Sequence, residues 1–176
     1  VQLCECIADF AKKLSCKLVN PDHLSSYTAC RLIPLDKDPG VRPIGVGEVL
    51  RRIVGKSITG IVKQDIVNST APIQICGGLP GRVEAAIHSM RRIYNDPDTE
   101  AVLLVDADNA FNSLNREAAL NNLQYTCPEF FKYVVNTYRK PAELYVANSE
   151  EIISSEEGTT QGDTCVMGRD GRGEKM

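Results

Sequence analysis

The sequence contains no tryptophan, only two histidines, and no C-x-x-C pair among its seven cysteines. A structural zinc site needs paired ligands at short spacing, so this pattern argues against one, and the odd number of cysteines argues against a complete disulfide framework. No apolar run approaches the ~20 residues of a membrane-spanning helix. The first residues carry charges where a secretory signal would be apolar, so we expect an intracellular chain with no membrane partner.

The charge balance excludes a strongly basic chain, because 20 Lys and Arg face 23 Asp and Glu for a formal net charge of −3. Residues 1 to 70 hold ten of the Lys and Arg but only seven of the Asp and Glu, so this part of the chain is mildly basic and is the better candidate for binding a polyanion. The chain does not begin with methionine and ends in the polar stretch TCVMGRDGRGEKM. We therefore expect a fragment whose residues 164 to 176 form a disordered or out-of-frame tail.

Helical and extended patterns interleave along the chain, which predicts an α+β fold. Residues 1 to 30 are expected to form an N-terminal segment that is irregular apart from a short helix near 3 to 14. Asp38-Pro39-Gly40 predicts the turn of a hairpin, and the apolar spacing from Val46 to Ile66 predicts a helix. The other predicted elements are a helix over 83–94 with Val83, Ile87, Met90 and Ile93 inward, a strand over 101–105, a helix capped by Asn115, a helix from Pro128 to Arg139, and a hairpin turning near Asn148.

The stretch AVLLVDADNAFNSL, residues 101 to 114, places Asp106 and Asp108 directly after an apolar run. The end of a buried strand would fix a carboxylate at the edge of the core, and fixed carboxylates are ligands that Mg²⁺ accepts. The same residues also fit an ordinary surface turn with solvated side chains. Other parts of the chain have to distinguish these two interpretations.

Three stretches resemble, in order, the motifs of reverse transcriptases, the RNA-directed DNA polymerases of retrotransposon-like elements. The segment RLIPLDKDPGVRPIGVGEVLRRIVGKSI resembles their fingers, VLLVDADNAFNSLNR resembles their first catalytic motif, and EGTTQGD resembles their second. This resemblance covers residues 31 to 163. It implies a partial right-hand polymerase, with interleaved fingers and the first half of a ferredoxin-like palm, in the nucleus or the cytoplasm.

The resemblance also implies template-directed nucleotidyl transfer by two-metal chemistry, with an RNA template, a primer strand and deoxynucleotide triphosphates as partners. Mg²⁺ or Mn²⁺ would be the cofactor of the full-length enzyme. Asp106 matches the metal-binding catalytic aspartate, and the carbonyl oxygen of Ala107 would be a second metal ligand. Arg42 matches the arginine that grips the triphosphate, with Lys37 assisting as a point charge. Phe111 matches the aromatic residue that lies under the sugar and excludes a 2′-hydroxyl group.

Two further groups of residues complete the predicted site. Gln161 and Gly162 match the pair that contacts the incoming nucleotide and the template strand. The residues expected to contact nucleic acid are Arg51, Arg52 and Lys56, with Lys63, on the fingers helix, and Arg82 near a phosphate backbone. A solvated helix face is an alternative explanation of the basic residues on the fingers helix.

A third motif of this family, an aromatic residue, any residue and two aspartates, is absent after Gly162. Two divalent cations repel each other and need several carboxylates, so we predict no polymerase activity from this chain alone. Two other interpretations stay open. The chain could be a non-catalytic retroelement remnant that at most binds nucleic acid, or an unrelated α+β enzyme that uses Asp106 and Asp108 as metal ligands.

Overall fold

A computed structural model describes residues 1–70, 74, 81–107, 109–160 and 163 of the 176-residue chain. Within these ranges helices and strands mix, as the sequence predicted. The helices are α1 (Gln2–Cys16), α2 (Ser25–Thr28), α3 (Val49–Thr70), α4 (Arg82–Tyr94), α5 (Ala110–Ser113), α6 (Arg116–Thr126) and α7 (Pro128–Tyr138), with a 3₁₀ turn at Pro21–Leu24. The strands are β1 (Cys30–Asp36), β2 (Val41–Gly47), β3 (Ala142–Val146) and β4 (Ile152–Ser155).

The four strands form one mixed sheet in the order β2-β1-β3-β4. β1 and β2 form the predicted hairpin, with Ile33 opposite Ile44, and the backbone N–H of Lys37 closes the turn on the carbonyl of Gly40 at 3.0 Å. Gly40 has φ +98°, a conformation that glycine adopts readily. β3 lies parallel to β1, and β4 runs antiparallel to β3 through the predicted turn at Asn148, where φ is +63°.

The hydrophobic core lies where α1, α3 and α7 meet, and Leu14, Val54 and Tyr133 are its centre. Tyr27 also belongs to this core, and its hydroxyl lies 3.2 Å from that of Tyr133. Helix α1 confirms the short helix predicted near 3 to 14, whereas the rest of residues 1 to 30, which we expected to be irregular, forms the 3₁₀ turn and α2 and contributes to the core. Burial against α3 and α7 explains why this segment is ordered, because short helices gain most of their stability from tertiary packing.

Most predicted helix boundaries agree with the structure to within a few residues. The side chain of Asn115 caps α6, accepting the N–H of Ala118 at 2.8 Å, and Pro128 opens α7. Helix α4 forms as predicted, but the four residues predicted to face inward, Val83, Ile87, Met90 and Ile93, are all exposed. No helix among the described residues has both the length and the apolar character needed to cross a membrane.

The strand predicted over residues 101–105 is not formed. This segment has no regular secondary structure, and Leu103, Leu104 and Val105 are 85%, 81% and 84% exposed. An apolar run becomes a strand only when a neighbouring strand satisfies its backbone N–H and C=O groups. No strand pairs with it among the residues that the structure describes.

Candidate functional site

The β1–β2 hairpin carries the two residues predicted to contact the triphosphate. Lys37 lies in the turn, and Arg42 lies on β2 opposite Leu35. Both side chains are exposed to solvent. This part of the hairpin is therefore accessible to solvent.

Helix α3 separates its basic residues into two environments. Arg52, Lys56 and Lys63 are exposed, whereas Arg51 is 3% exposed. Arg51 lies on the same helical face as the core residue Val54, because side chains three and four positions apart lie side by side on a helix. Arg51 therefore does not share the exposed basic face on which we expected it.

The buried Arg51 is bonded on several sides. Its guanidinium pairs with the carboxylate of Asp163, donates to the carbonyl of Thr28 at 2.8 Å and lies 5.5 Å from the ring centroid of Tyr138. The hydroxyl of Tyr138 donates to the same carboxylate at 2.6 Å. A buried charge is tolerated when it is paired and hydrogen-bonded in this way. Asp163 is consequently attached to α3 and α7.

Asp106 and Ala107, the predicted metal ligands, are exposed and have no regular secondary structure. Asp108 lies outside the described residues. Among the described part of the chain, no group of three or more His, Cys, Asp and Glu side chains is placed to hold a metal ion. Arg82, the remaining predicted nucleic-acid contact, is the half-buried first residue of α4.

Phe111 lies on α5, and its side chain is 38% exposed. Its carbonyl oxygen accepts the backbone N–H of Thr159 at 2.6 Å, and that of Leu114 accepts the N–H of Gly158 at 2.9 Å. The stretch EGTT, residues 157 to 160, therefore lies directly against the turn that carries Phe111. Two of the three predicted motifs adjoin here although more than forty positions separate them in the sequence.

Arg116, which sequence reasoning did not assign to the site, anchors the same stretch. The side chain is 7% exposed and donates to the carbonyls of Ser155 and Gly158, both at 2.6 Å, and to the hydroxyl of Ser155 at 2.7 Å. Its guanidinium also lies 5.5 Å from the Tyr138 ring centroid. Burial lowers the pKa of Arg116, while Tyr138 and Glu157 oppose that shift. Nothing in the sequence distinguishes this arginine from an exposed one near a helix start.

The β1–β2 hairpin contacts the same stretch at Thr160. A Cβ built on Gly45 of β2 would lie 2.2 Å from the methyl carbon of Thr160, so only glycine allows this approach. Beside this contact is a cavity of about 190 Å³ lined by Ile44, Gly45, Arg52, Thr160 and Asp163, among others. Gln161 and Gly162 lie outside the described residues, but Thr160 and Asp163 on either side of them are placed.

The contacts thus bring together β2, the start of α3, α5 and residues 155–160. Asp106 and Arg42 take no part in the bonds that join these elements among the described residues. A scan against models of known protein families and a search of curated proteins find nothing that matches this chain. Support for a function therefore comes from the motifs and their geometry.

Proposed function

We propose that the chain is the fingers and the first half of the palm of an RNA-directed DNA polymerase from a retrotransposon-like element. One observation carries the proposal. Residues 157–160 contact both Gly45 in the fingers hairpin and the backbone of Phe111, so the three stretches that resemble consecutive polymerase motifs adjoin in space. A shared nucleotide site requires that these stretches lie close together, which is why their adjacency supports the proposal.

The proposed reaction of the full-length enzyme is attack of a primer hydroxyl on the α-phosphorus of a deoxynucleotide triphosphate, with release of pyrophosphate. In that enzyme Arg42 and Lys37 would bind phosphate oxygens. The ring of Phe111 would contact the sugar, where its bulk excludes a 2′-hydroxyl group. Gln161 and Gly162 would contact the base and the template strand.

The residues of this chain do not suffice for the metal part of that chemistry. Asp106 is the single carboxylate assigned to the ions, and no cluster of three ligands exists among the described residues. Two Mg²⁺ ions need more negative charge than one carboxylate and the carbonyl of Ala107 provide. We therefore expect this chain alone to bind a nucleotide weakly and to incorporate none.

Nucleotide affinity tests the proposal. A fluorescent deoxynucleotide triphosphate should bind the chain, and Arg42→Ala should weaken binding by about tenfold, the loss expected for one charge-assisted phosphate contact. Arg31→Ala is the matched control, because Arg31 is also an exposed arginine of the hairpin, on β1. Equal losses for the two variants, or no binding by the wild type, would contradict the proposal.

A second candidate function is binding of nucleic acid without catalysis. Its support is the exposed basic face of α3, defined by Arg52, Lys56 and Lys63. These three residues lie on one side of the helix at spacings of four and seven. A phosphate backbone is the polyanion that such a row of positive charges suits best.

A further inference from the structure

Arg116 lies inside the molecule without a carboxylate partner for its guanidinium in the bonds described above. Its side chain N–H groups instead bind the carbonyls of Ser155, Glu157 and Gly158 and the hydroxyl of Ser155. The backbone N–H of Arg116 adds a 3.2 Å bond to a carboxylate oxygen of Glu157. A planar group with five donors in a rigid fork holds several acceptors in one fixed arrangement.

Residues 155–158, which Arg116 holds, are in turn hydrogen-bonded to the backbone around Phe111. Gly158 and Thr159 follow directly in the sequence, and their N–H groups bind the carbonyls of Leu114 and Phe111 at 2.9 and 2.6 Å. The hydroxyl of Thr159 adds a second bond to the Phe111 carbonyl at 3.3 Å. The backbone of Phe111 is therefore bonded to the stretch that Arg116 holds.

Gly158 also packs closely against the backbone of α5. A Cβ on Gly158 would lie 2.5 Å from the Phe111 carbonyl oxygen and 2.4 Å from that of Asn112. Real Cβ atoms do not approach so closely, so the two backbones touch across the glycine. The position of α5 therefore depends on where Arg116 places residues 155–158.

We infer that Arg116 is a positioning residue that fixes the Phe111 ring and thereby sets selectivity for the sugar of a bound nucleotide. The part about selectivity rests on the proposed function. A ring that excludes one hydroxyl group discriminates by a steric contact, and a displacement of about 1 Å removes much of such discrimination. Arg116 acts through the backbone and touches no nucleotide.

Amide hydrogen exchange in the full chain tests the positioning. Arg116→Lys keeps the positive charge but loses the planar guanidinium and its several N–H donors. It should therefore speed exchange of the Gly158 and Thr159 amides by about tenfold or more, as expected for loss of a hydrogen bond. Amides of α7 should stay protected. Arg91→Lys, at an exposed arginine of α4, is the control and should change neither amide. Ser155→Ala removes one acceptor and should give a smaller change in the same direction if the lysine variant does not fold.

Nucleotide selectivity tests the consequence. Arg116→Lys should lower the ratio of deoxynucleotide to ribonucleotide affinity toward that of Phe111→Ala, while Arg91→Lys keeps the wild-type ratio. Unchanged protection of both amides in folded Arg116→Lys and Ser155→Ala would overturn the inference, as would an unchanged ratio when Phe111→Ala alters it. Absence of nucleotide binding in the wild type would contradict the proposed function instead, and the exchange rates would still decide whether Arg116 positions Phe111.

Discussion

At the scale of single residues, two glycines with similar φ angles distinguish the cost of an unfavourable backbone conformation from the cost of a steric clash. Gly158 has φ +68° and Gly81 has φ +73°, so both are left-handed. A Cβ on Gly158 would clash with backbone oxygens, whereas one on Gly81 meets no atom of the described residues within 4 Å. The two positions therefore form a matched pair for substitution by alanine.

We expect Gly81→Ala to lower the free energy of unfolding by about 1 kcal/mol, the penalty of the left-handed conformation for a residue with a Cβ. Gly158→Ala should lower it by about 3 kcal/mol or more, because the backbone of α5 must also move. Urea unfolding of the two variants measures the difference. Equal losses would mean that residues 157–160 do not pack against α5 in solution.

The cysteines provide a second test at this scale, through the pKa of the thiol. Burial raises the pKa of Cys30 and of Cys127, which lowers the thiolate fraction at any given pH. Cys4, Cys6 and Cys16 are exposed on α1. Iodoacetamide at pH 8 should label these three within the folded chain and leave Cys30 and Cys127 unlabelled until denaturant is added, as read by peptide mass spectrometry. Early labelling of Cys30 would show that its side chain is not buried in solution.

Individual residues were predictable from the sequence only where local chemistry decides their role. Asn115 was recognised as a cap because a cap depends on the next three residues. Arg116 was not, because its burial depends on residues 155–158, about forty positions away. Arg51 did carry a signal that was missed, since it lies in helical phase with Val54 and Ile58, both buried.

At the scale of elements, α3 divides into a core face and an exposed basic face. We expect Arg52→Ala/Lys56→Ala to weaken binding of single-stranded RNA and to reduce the slope of log affinity against log salt by about 1.4, since each neutralised phosphate contributes about 0.7 for a single strand. Lys12→Ala/Lys13→Ala, which also removes two exposed charges from a helix, is the control. A slope that does not differ between the two double variants would exclude α3 as the contact surface.

Elements that are defined by their own sequence were predicted, and those that need a distant partner were not. The hairpin has its turn at residues 37–40, and α1, α3, α6 and α7 follow from apolar spacing or from their first residues. The prediction of a strand at 101–105 was wrong, because a strand forms only beside a neighbouring strand and the apolar run VLLV does not specify one. The same limit explains why the inward face of α4 was wrong.

At the scale of the whole molecule, the apolar surface is unevenly distributed. The core lies among α1, α3 and α7, while the apolar face of α4 and the segment 101–105 remain exposed. Exposed apolar patches of this kind favour self-association of the chain. They also mean that these apolar side chains contribute less to the free energy of folding than fully buried ones would.

Leu14 and Leu104 test this uneven distribution, because the first is fully buried and the second is 81% exposed. Leu14→Ala should lower the free energy of unfolding by about 2–5 kcal/mol, as core truncations do. Leu104→Ala should change it by less than about 0.5 kcal/mol, and Leu104→Asp should reduce light scattering at high protein concentration, because a charge interrupts the apolar patch. A large loss of stability in Leu104→Ala would instead show that residues 101–105 are packed in solution, so the missing strand would have a partner after all.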